Sequence, residues 1–274
     1  MPHLRLSTGI SLYYEEEGQG QPLLLIPGAS ADHSAWVLQV PEFSRGFRVI
    51  TPDMRGTGQS DRPDLKESYT ARLMAEDIKA LLDALSVEKA HVIGQSLGSA
   101  VAQELAIRHP GRVASLVLDV TWARSDLRIS QICSVLSVLI ARESLKAYSD
   151  FIYSLAFSPA LLSSKPSFLD AFYHSNFVEN QWKPTDIALL GHMAAVTTHD
   201  AEKRLPSIKA PALVIAGEDD VIIHPTYGKK VAGLIPRAEF HLFKSPYASH
   251  LLHIEMAPLF NRLCLDFLET AAGF

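Results

Sequence analysis

The sequence predicts an α/β fold in which a mostly parallel central sheet is flanked by helices and carries a helical cap insertion. Three observations predict it. Short apolar segments alternate with longer segments of helical periodicity, which is typical of a parallel sheet covered on both faces. The alternation stops between residues 124 and 200, where the patterns are helical and no strand is evident. A glycine-flanked serine lies where one predicted strand meets a predicted helix.

The predicted elements follow in chain order. Residues 4–7 and 10–17 alternate around Thr8-Gly9 and predict a hairpin. The short apolar run at 23–26 is typical of a strand buried on both faces, and 47–51 is a second segment of this kind. Further strands are predicted at 89–94, 113–120, 212–217 and 238–243. Helices are predicted at 69–85, 97–108, 226–235 and 254–270. We therefore assign residues 1–123 and 201–274 to one α/β core and residues 124–200 to an all-helical cap.

Composition excludes several classes of function. The 274 residues carry a formal net charge of −5 without a block of basic residues, which argues against nucleic acid as a partner. The longest apolar stretch, 132–141, is interrupted by serines and falls far short of the ~20 residues of a membrane span. The N-terminal segment lacks the pattern of a signal peptide, so we predict a cytoplasmic protein that does not bind membranes. We expect either a monomer or a homodimer.

The two cysteines, Cys133 and Cys264, lie far apart and lack the spacing of metal ligands. We predict that both are buried thiols in a reducing compartment rather than a disulfide. The histidines and carboxylates show no zinc-site spacing, and no glycine-rich phosphate loop is present. The chain is therefore expected to work without a metal or cofactor.

The segment Gly-Gln-Ser-Leu-Gly, residues 94–98, predicts a nucleophile. It lies between the strand at 89–94 and the helix at 97–108, the context in which G-x-S-x-G exposes a serine hydroxyl on a sharp turn. Gly94 and Gly98 would allow the strand and helix backbones to approach closely. The N-terminus of the helix would stabilise negative charge that develops beside Ser96.

A serine nucleophile needs a base, expected here in the order serine, acid, histidine. Four histidines follow the strand at 212–217. His224 lies too close to that strand, and His241 lies inside the next one. We favour His250, in the loop before the last helix, and keep His253 as the alternative.

The acid is expected just beyond the carboxyl end of the strand at 212–217, because ligand and catalytic groups of open α/β sheets collect at such ends. Glu218, Asp219 and Asp220 compete for this role. We favour Asp220, with Asp219 as the alternative. Asp119, at the end of the preceding strand, is a lesser candidate.

These motifs together resemble the α/β-hydrolase fold over essentially the full length of the chain. The resemblance rests on five segments: PGAS at 27–30, PDMRGTGQSDRP at 52–63, GQSLG at 94–98, GEDD at 217–220 and SHLLHIE at 249–255. In that family the acid usually stands three residues after the glycine, which implies Asp220, and the histidine opens a stretch like HLLHIE, which implies His250. The C-terminal segment is similar to 3-oxoadipate enol-lactonases and related small esterases.

The resemblance also implies an oxyanion hole made by backbone N–H groups. One belongs to Leu97, directly after the nucleophile, and the other to the loop after the strand at 23–26, where we select Ala29. Two departures from the family affect the shape of the pocket. Pro27 stands where a histidine often precedes the glycine, and Ser249 stands where a glycine often precedes the catalytic histidine.

The cap is expected to close an apolar pocket over the strand ends. Candidate wall residues, each of which could equally be ordinary packing, are His33, Trp36, Trp122, Phe151, Phe157, Phe172, Trp182 and His192. An apolar cap favours a small, partly hydrophobic substrate over a large polymer.

The sequence thus predicts a serine hydrolase that cleaves a carboxylic ester or lactone through an acyl-enzyme on Ser96. Haloalkane dehalogenases and epoxide hydrolases of the same fold carry an aspartate at this position. Cleavage of C–C bonds in meta-cleavage products by the same three residues is the main alternative. A small-molecule receptor with slow turnover is a further one, because fold alone does not decide function.

Overall fold

The computed structural model describes residues 3–272, and the predicted core boundaries at residues 1 and 274 lie outside them. Its sheet contains eight strands, namely β1 His3–Arg5, β2 Ser11–Glu17, β3 Gln21–Ile26, β4 Phe47–Pro52, β5 Ala90–Gln95, β6 Val113–Asp119, β7 Ala212–Gly217 and β8 Ala238–Phe243. The strand order is β1-β2-β4-β3-β5-β6-β7-β8. The pairs β1–β2 and β2–β4 are antiparallel, and the remaining pairs are parallel. The predicted fold class is confirmed.

The helices of the described residues are α1 Val40–Phe43, α2 Ala71–Ala84, α3 Leu97–Arg108, α4 Leu127–Arg142, α5 Leu145–Ala156, α6 Pro159–Ser164, α7 Phe168–Tyr173, α8 Asp186–Thr198, α9 Pro225–Leu234, α10 Leu252–Glu255 and α11 Ala257–Ala272. Several begin at the residue types that favour N-caps: Thr70 Oγ1 accepts from Leu73 N before α2, and Asp126 accepts from Ile129 N before α4. The last predicted helix, 254–270, forms two helices in the structure, because the helical conformation is interrupted at Met256 between α10 and α11.

Alternate residues of each central strand enter two separate cores. Leu24 and Ile26 of β3 pack in the core that α2, α3 and α9 cover, whereas Leu23 and Leu25 pack in the core that α1 and α11 cover. Both faces of the central sheet are therefore apolar, which explains the unbroken apolar runs of β3 at 22–26 and β7 at 212–217. Cys133 and Cys264 are buried and unpaired, as predicted.

Between β6 and β7 the chain forms α4 to α8, and strand pairing is limited to one bridge between Arg124 and Asp200. Aromatic side chains pack against one another within this helical segment; they are Tyr148, Tyr153, Phe157, Phe168, Phe172, Tyr173 and Phe177. Within residues 3–272, no helix has the length and hydropathy required to cross a membrane.

His199 lies at the base of this helical segment and is buried. Its Nε2 lies 3.1 Å from Gln103 Oε1, and its ring meets the edge of Trp122 at 5.6 Å between centroids. Burial lowers the pKa of His199 to about 4. The pKa values of His192 and His253 are also lowered by burial, to about 4 and about 3. All three side chains are therefore neutral in the folded protein at neutral pH.

This burial predicts acid sensitivity. Between about pH 6.5 and pH 4, His199 binds a proton in the unfolded chain and not in the folded one, so the free energy of unfolding falls as the pH falls. The variant His199→Gln lacks this titrating group. Between pH 6.5 and pH 4 its free energy of unfolding should therefore fall by less than that of the wild type, with a difference on the order of 1–3 kcal/mol. Urea unfolding at a series of pH values measures this, with His174→Gln as the exposed control. A loss equal to that of the wild type would contradict the expectation.

Candidate active site

Ser96 lies on the sharp turn between β5 and α3. Its backbone has φ 51° and ψ −118°, a conformation that non-glycine residues rarely adopt. The turn is held on both sides, since Ser96 N donates to Asp119 O at 3.0 Å and Ser99 Oγ donates to Ser96 O at 2.6 Å. This backbone strain places the side chain of Ser96 at the end of the strand, facing a cavity.

Two glycines permit this turn. A Cβ atom on Gly98 would overlap the carbonyl oxygen of Ile26 in β3, and one on Gly94 would overlap the carbonyl oxygen of Gly98. The backbones of β3, β5 and α3 therefore approach one another more closely than any larger residue would allow. This is the close approach that the sequence motif predicts.

The structure brings Ser96, His250 and Asp220 together in one chain of hydrogen bonds. His250 Nε2 lies 3.1 Å from Ser96 Oγ, and His250 Nδ1 lies 2.8 Å from Asp220 Oδ2. Because a carboxylate only accepts hydrogen bonds, Nδ1 carries the proton and Nε2 is free to accept from the serine. Asp220 Oδ1 accepts from the backbone N–H groups of Ile222 and Ile223, which orients the carboxylate.

The alternative acids and bases occupy other positions. Asp219 accepts from Ser245 Oγ, and Glu218 pairs with Lys244 Nζ at 2.9 Å, both away from His250. His253 Nδ1 lies 3.6 Å from Asp119 Oδ2 in a fully buried pair behind the site. Burial and the nearby Asp220 raise the pKa of Asp119 well above its usual value, and burial lowers the pKa of His253, so the charged form of each side chain is disfavoured there.

The backbone N–H groups without a hydrogen-bond acceptor among residues 3–272 include those of Leu97 and Ala29. Leu97 N is the first of α3, and such N–H groups have no partner within their own helix. Ala29 N follows β3 in the loop that lines the same cavity. These are the two residues that we selected for the oxyanion hole.

The loop that carries Ala29 is held by the helical segment. Ser30, which has φ 68°, donates its backbone N–H to His192 Nδ1 at 2.9 Å, and His192 Nε2 lies 2.9 Å from Arg55 O. The Ser30 hydroxyl lies 2.7 Å from the hydroxyl of Tyr148 in α5. Because burial keeps His192 neutral, Nδ1 can accept from Ser30 while Nε2–H donates to Arg55.

A second connection joins the helical segment to the loop that carries His250. Glu255 Oε1 accepts from Ser249 Oγ at 2.5 Å and from Ser158 N at 2.9 Å, and Glu255 Oε2 accepts from Ser158 Oγ. Ser158 is the N-cap of α6. We call this the Glu255 bridge. Ser249, which departs from the glycine common in the family, supplies one of its hydroxyl groups.

A cavity of about 550 Å³ opens beside Ser96 and is covered by the helical segment. Three of the aromatic residues expected in its wall, Trp122, Phe172 and Trp182, do line it. Most of the remaining wall is aliphatic, and its residues include Ile129, Ile132, Leu136, Ile152, Met193 and Val196.

The other candidate wall residues do not line the cavity. His33 binds Asp53 through Nδ1 at 2.6 Å and faces a smaller cleft beside β2. Trp36 is fully buried against the ring of His253, and Phe151 lies on the outer face of α5. Phe157 packs behind Phe168 and Phe172.

His192 is likewise not a wall residue, because both of its ring nitrogens are engaged by Ser30 and Arg55. Composition alone favours aromatic residues as pocket walls, whereas aliphatic side chains of α4, α5 and α8, such as Ile129, Ile152 and Val196, also line this one. The helical periodicity of residues 127–142 was the signal that could have identified the buried Ile129, Cys133 and Leu136, which lie on one face of α4.

Among the described residues, one group of side chains lies close enough together to hold a metal ion, namely Asp32, His33 and Asp53. The oxygens of Asp53 already accept hydrogen bonds from His33 N, His33 Nδ1 and Gln59 N. The group therefore acts as an internal network that holds the loop at residues 32–33.

Comparison with known proteins places this geometry in a family. Residues 21–133 match the family model described as alpha/beta hydrolase fold. The chain is 30% identical over 270 residues to the provisionally named carbamate hydrolase RutD of Variovorax paradoxus, covering 96% of this chain and 97% of the relative. The chain belongs to the α/β hydrolase fold family.

Other members of the α/β hydrolase fold family are also similar. The enol-lactonase of Burkholderia xenovorans LB400 superposes with a TM-score of 0.87 at 28% identity, covering 97% of this chain and 99% of that one. The 2-hydroxy-6-oxo-6-phenylhexa-2,4-dienoate hydrolase of Burkholderia cepacia is 28% identical over 96% of this chain and 93% of its own length. All three relatives are named as hydrolases or lactonases, and the substrates that their names specify differ.

The two neighbouring aspartates provide a matched test of the acid. In Asp220→Asn the amide cannot hold the same imidazole tautomer or stabilise an imidazolium, so turnover should fall by about 10³–10⁴-fold. In Asp219→Asn only contacts to Ser245 change, and turnover should stay within about twofold of the wild type. Steady-state ester hydrolysis measures both variants. Equal losses in the two would contradict the assignment of Asp220.

His192 provides a test of the loop that carries Ala29. His192→Phe removes the acceptor for Ser30 N, which should displace the Ala29 N–H and lower turnover by up to about 100-fold, since losing one oxyanion donor costs roughly 10²–10³. His199→Phe is the control, because it removes a buried histidine that has no contact with this loop. Similar unfolding free energies with unequal turnover are expected. A parallel loss of stability and activity in both variants would show that His192 acts only in packing.

Proposed function

We propose that this protein is a serine hydrolase that cleaves a small carboxylic ester or lactone through an acyl-enzyme on Ser96. The observation that supports this most directly is the hydrogen-bonded chain from Ser96 Oγ through His250 to Asp220 beside a covered cavity. Serine alone is a weak nucleophile, and a base within hydrogen-bond distance, itself oriented by a third group, is what activates it.

In the first half-reaction His250 Nε2 accepts the Ser96 proton as Oγ attacks the substrate carbonyl. Asp220 holds the imidazole by its Nδ1–H and stabilises the imidazolium that forms. His250 then gives the proton to the leaving oxygen. For a lactone the leaving oxygen remains attached to the acyl group, so the whole substrate stays on the enzyme as a hydroxyacyl ester.

The oxyanion of each tetrahedral intermediate would accept hydrogen bonds from Leu97 N and Ala29 N. Both N–H groups are already free of partners within the described residues, so little reorganisation is needed when charge develops. The N-terminus of α3 adds favourable electrostatic potential at the same point. In the second half-reaction a water molecule attacks the acyl carbonyl while His250 accepts its proton. His250 then returns this proton to Ser96 Oγ as the bond between Oγ and the acyl carbon breaks, and the acyl group is released as the acid.

A second candidate, C–C bond hydrolysis, is favoured by the similarity to the Burkholderia cepacia hydrolase, whose name specifies a dienoate substrate. The name of the Variovorax relative favours carbamate hydrolysis in the same way. Both reactions can use the same serine, histidine and oxyanion hole, so the chemistry of the cavity has to distinguish them. A receptor with slow turnover also keeps these residues, and it would show a single burst of product instead of repeated cycles.

Removing the nucleophile or the base tests the proposal. Ser96→Ala and His250→Ala should each lower the turnover of p-nitrophenyl acetate by about 10⁴–10⁶-fold, and the double variant should lose little more, because the three residues act as a unit. Ser154→Ala, which removes an exposed hydroxyl on α5, is the matched control. Losses that add in the double variant would refute the mechanism. Turnover that stops after one equivalent in the wild type would favour the receptor.

A further inference from the structure

The buried end of the cavity is built almost entirely from hydrocarbon. Its side chains, which we call the inner wall, are Ile129, Cys133, Leu136, Phe177, Met193 and Val196. They come from α4, α8 and the turn at His174–Val178. Each of them is buried, so a ligand group that reaches them leaves water completely.

The titratable groups next to the inner wall are uncharged. The hydroxyl of Tyr148 is engaged by Ser30 Oγ at 2.7 Å. Burial raises the pKa of the Cys133 thiol to about 12, so this group is neutral and a weak hydrogen-bond donor. Burial likewise raises the pKa of Tyr153, which also lines the cavity. The inner wall therefore solvates hydrocarbon well and charge poorly.

The charge that does line the cavity is negative. Asp32 lies in its wall near the exposed Ser34, from which it accepts two hydrogen bonds. The described residues that line the cavity include no lysine or arginine that could pair with an anionic substrate. A carboxylate placed at the inner wall would lose its hydration and gain no cation, and an unpaired buried charge is strongly unfavourable.

We infer that one arm of the substrate is an uncharged, largely apolar chain that lies against the inner wall, and that the cavity rejects substrates bearing a carboxylate on that arm. This inference rests on the proposed function, because it specifies the substrate class of the same Ser96 site. The volume of about 550 Å³ is within the range of sites that bury most of a small organic ligand.

Two matched pairs of esters test the inference, one pair for each arm. Ethyl hexanoate and monoethyl adipate differ only at the end of the acyl arm, where a carboxylate replaces a methyl group. Hexyl acetate and 6-acetoxyhexanoate differ in the same way at the end of the alcohol arm. In at least one pair kcat/KM for the neutral ester should exceed that for the anion by about 100-fold or more, because burying an unpaired carboxylate costs that much or more. Ratios within about threefold in both pairs would overturn the inference.

A charge introduced into the inner wall tests the cause. Met193→Lys keeps the length of the side chain and adds an ammonium group, so it should raise kcat/KM for the anionic ester of the selective pair by about tenfold or more and lower it for the neutral one. Met193→Gln adds polarity without charge and should not raise activity towards the anion. An increase in both variants would assign the effect to polarity and contradict the electrostatic argument.

The wild-type ratios decide the inference even if the lysine variant does not fold. If the proposed function itself is wrong, the result is different. p-Nitrophenyl acetate, which has no long arm, would then be hydrolysed no faster by the wild type than by Ser96→Ala. Rapid acetate hydrolysis that depends on Ser96, combined with equal rates within both ester pairs, would leave the hydrolase proposal standing and remove the substrate class.

Discussion

The close approach of β3, β5 and α3 is the constraint on which the rest of the site depends. Only glycine fits at residues 94 and 98, because a side chain at either position would overlap a carbonyl oxygen. This packing forces the left-handed backbone of Ser96 and also sets the direction of α3. The Ser96 hydroxyl, the free N–H group of Leu97 and the N-terminus of α3 therefore lie together on a single turn of the chain beside one cavity. Their relative positions are determined by main-chain packing rather than by flexible side chains.

The helical segment between β6 and β7 contributes more than a cover. It fastens both loops that flank Ser96. His192 and Tyr148 hold the loop that carries Ala29, and Ser158 holds the loop that carries His250 through Glu255. These contacts are partly buried hydrogen bonds, and removing one partner leaves the other unsatisfied. The neutral state of His192 matters here, since a protonated imidazole could no longer accept from Ser30 N.

Sequence reasoning succeeded where one local constraint determines the structure. The strand lengths follow from burial on both faces, and the position of Ser96 follows from two glycines at a strand–helix junction. The family spacing favoured Asp220 over Asp219, and the structure shows the reason for the difference between them. Adjacent residues point in different directions, and only the turn after β7 shows which carboxylate faces His250. Whether these residues catalyse a reaction is still a prediction.

The wall of the cavity could not be predicted well, since it depends on how α4 to α8 pack, and no short motif records that packing. Selecting aromatic side chains identified Trp122, Phe172 and Trp182 but also Trp36, Phe151 and Phe157, which are core, surface and second-layer residues. The role of His192 was missed for a related reason. A histidine in an apolar helix can face a ligand or hold a loop in place. The partner that decides this for His192 is Ser30, which lies 162 residues away in the chain.

The Glu255 bridge has a consequence for how the position of His250 is determined. One carboxylate accepts from Ser158, the N-cap of α6, and from Ser249, which immediately precedes His250. The placement of α6 and the placement of the imidazole are therefore coupled, although the two lie far apart in the chain. A change in the helical segment that displaces Ser158 acts on His250 without touching it.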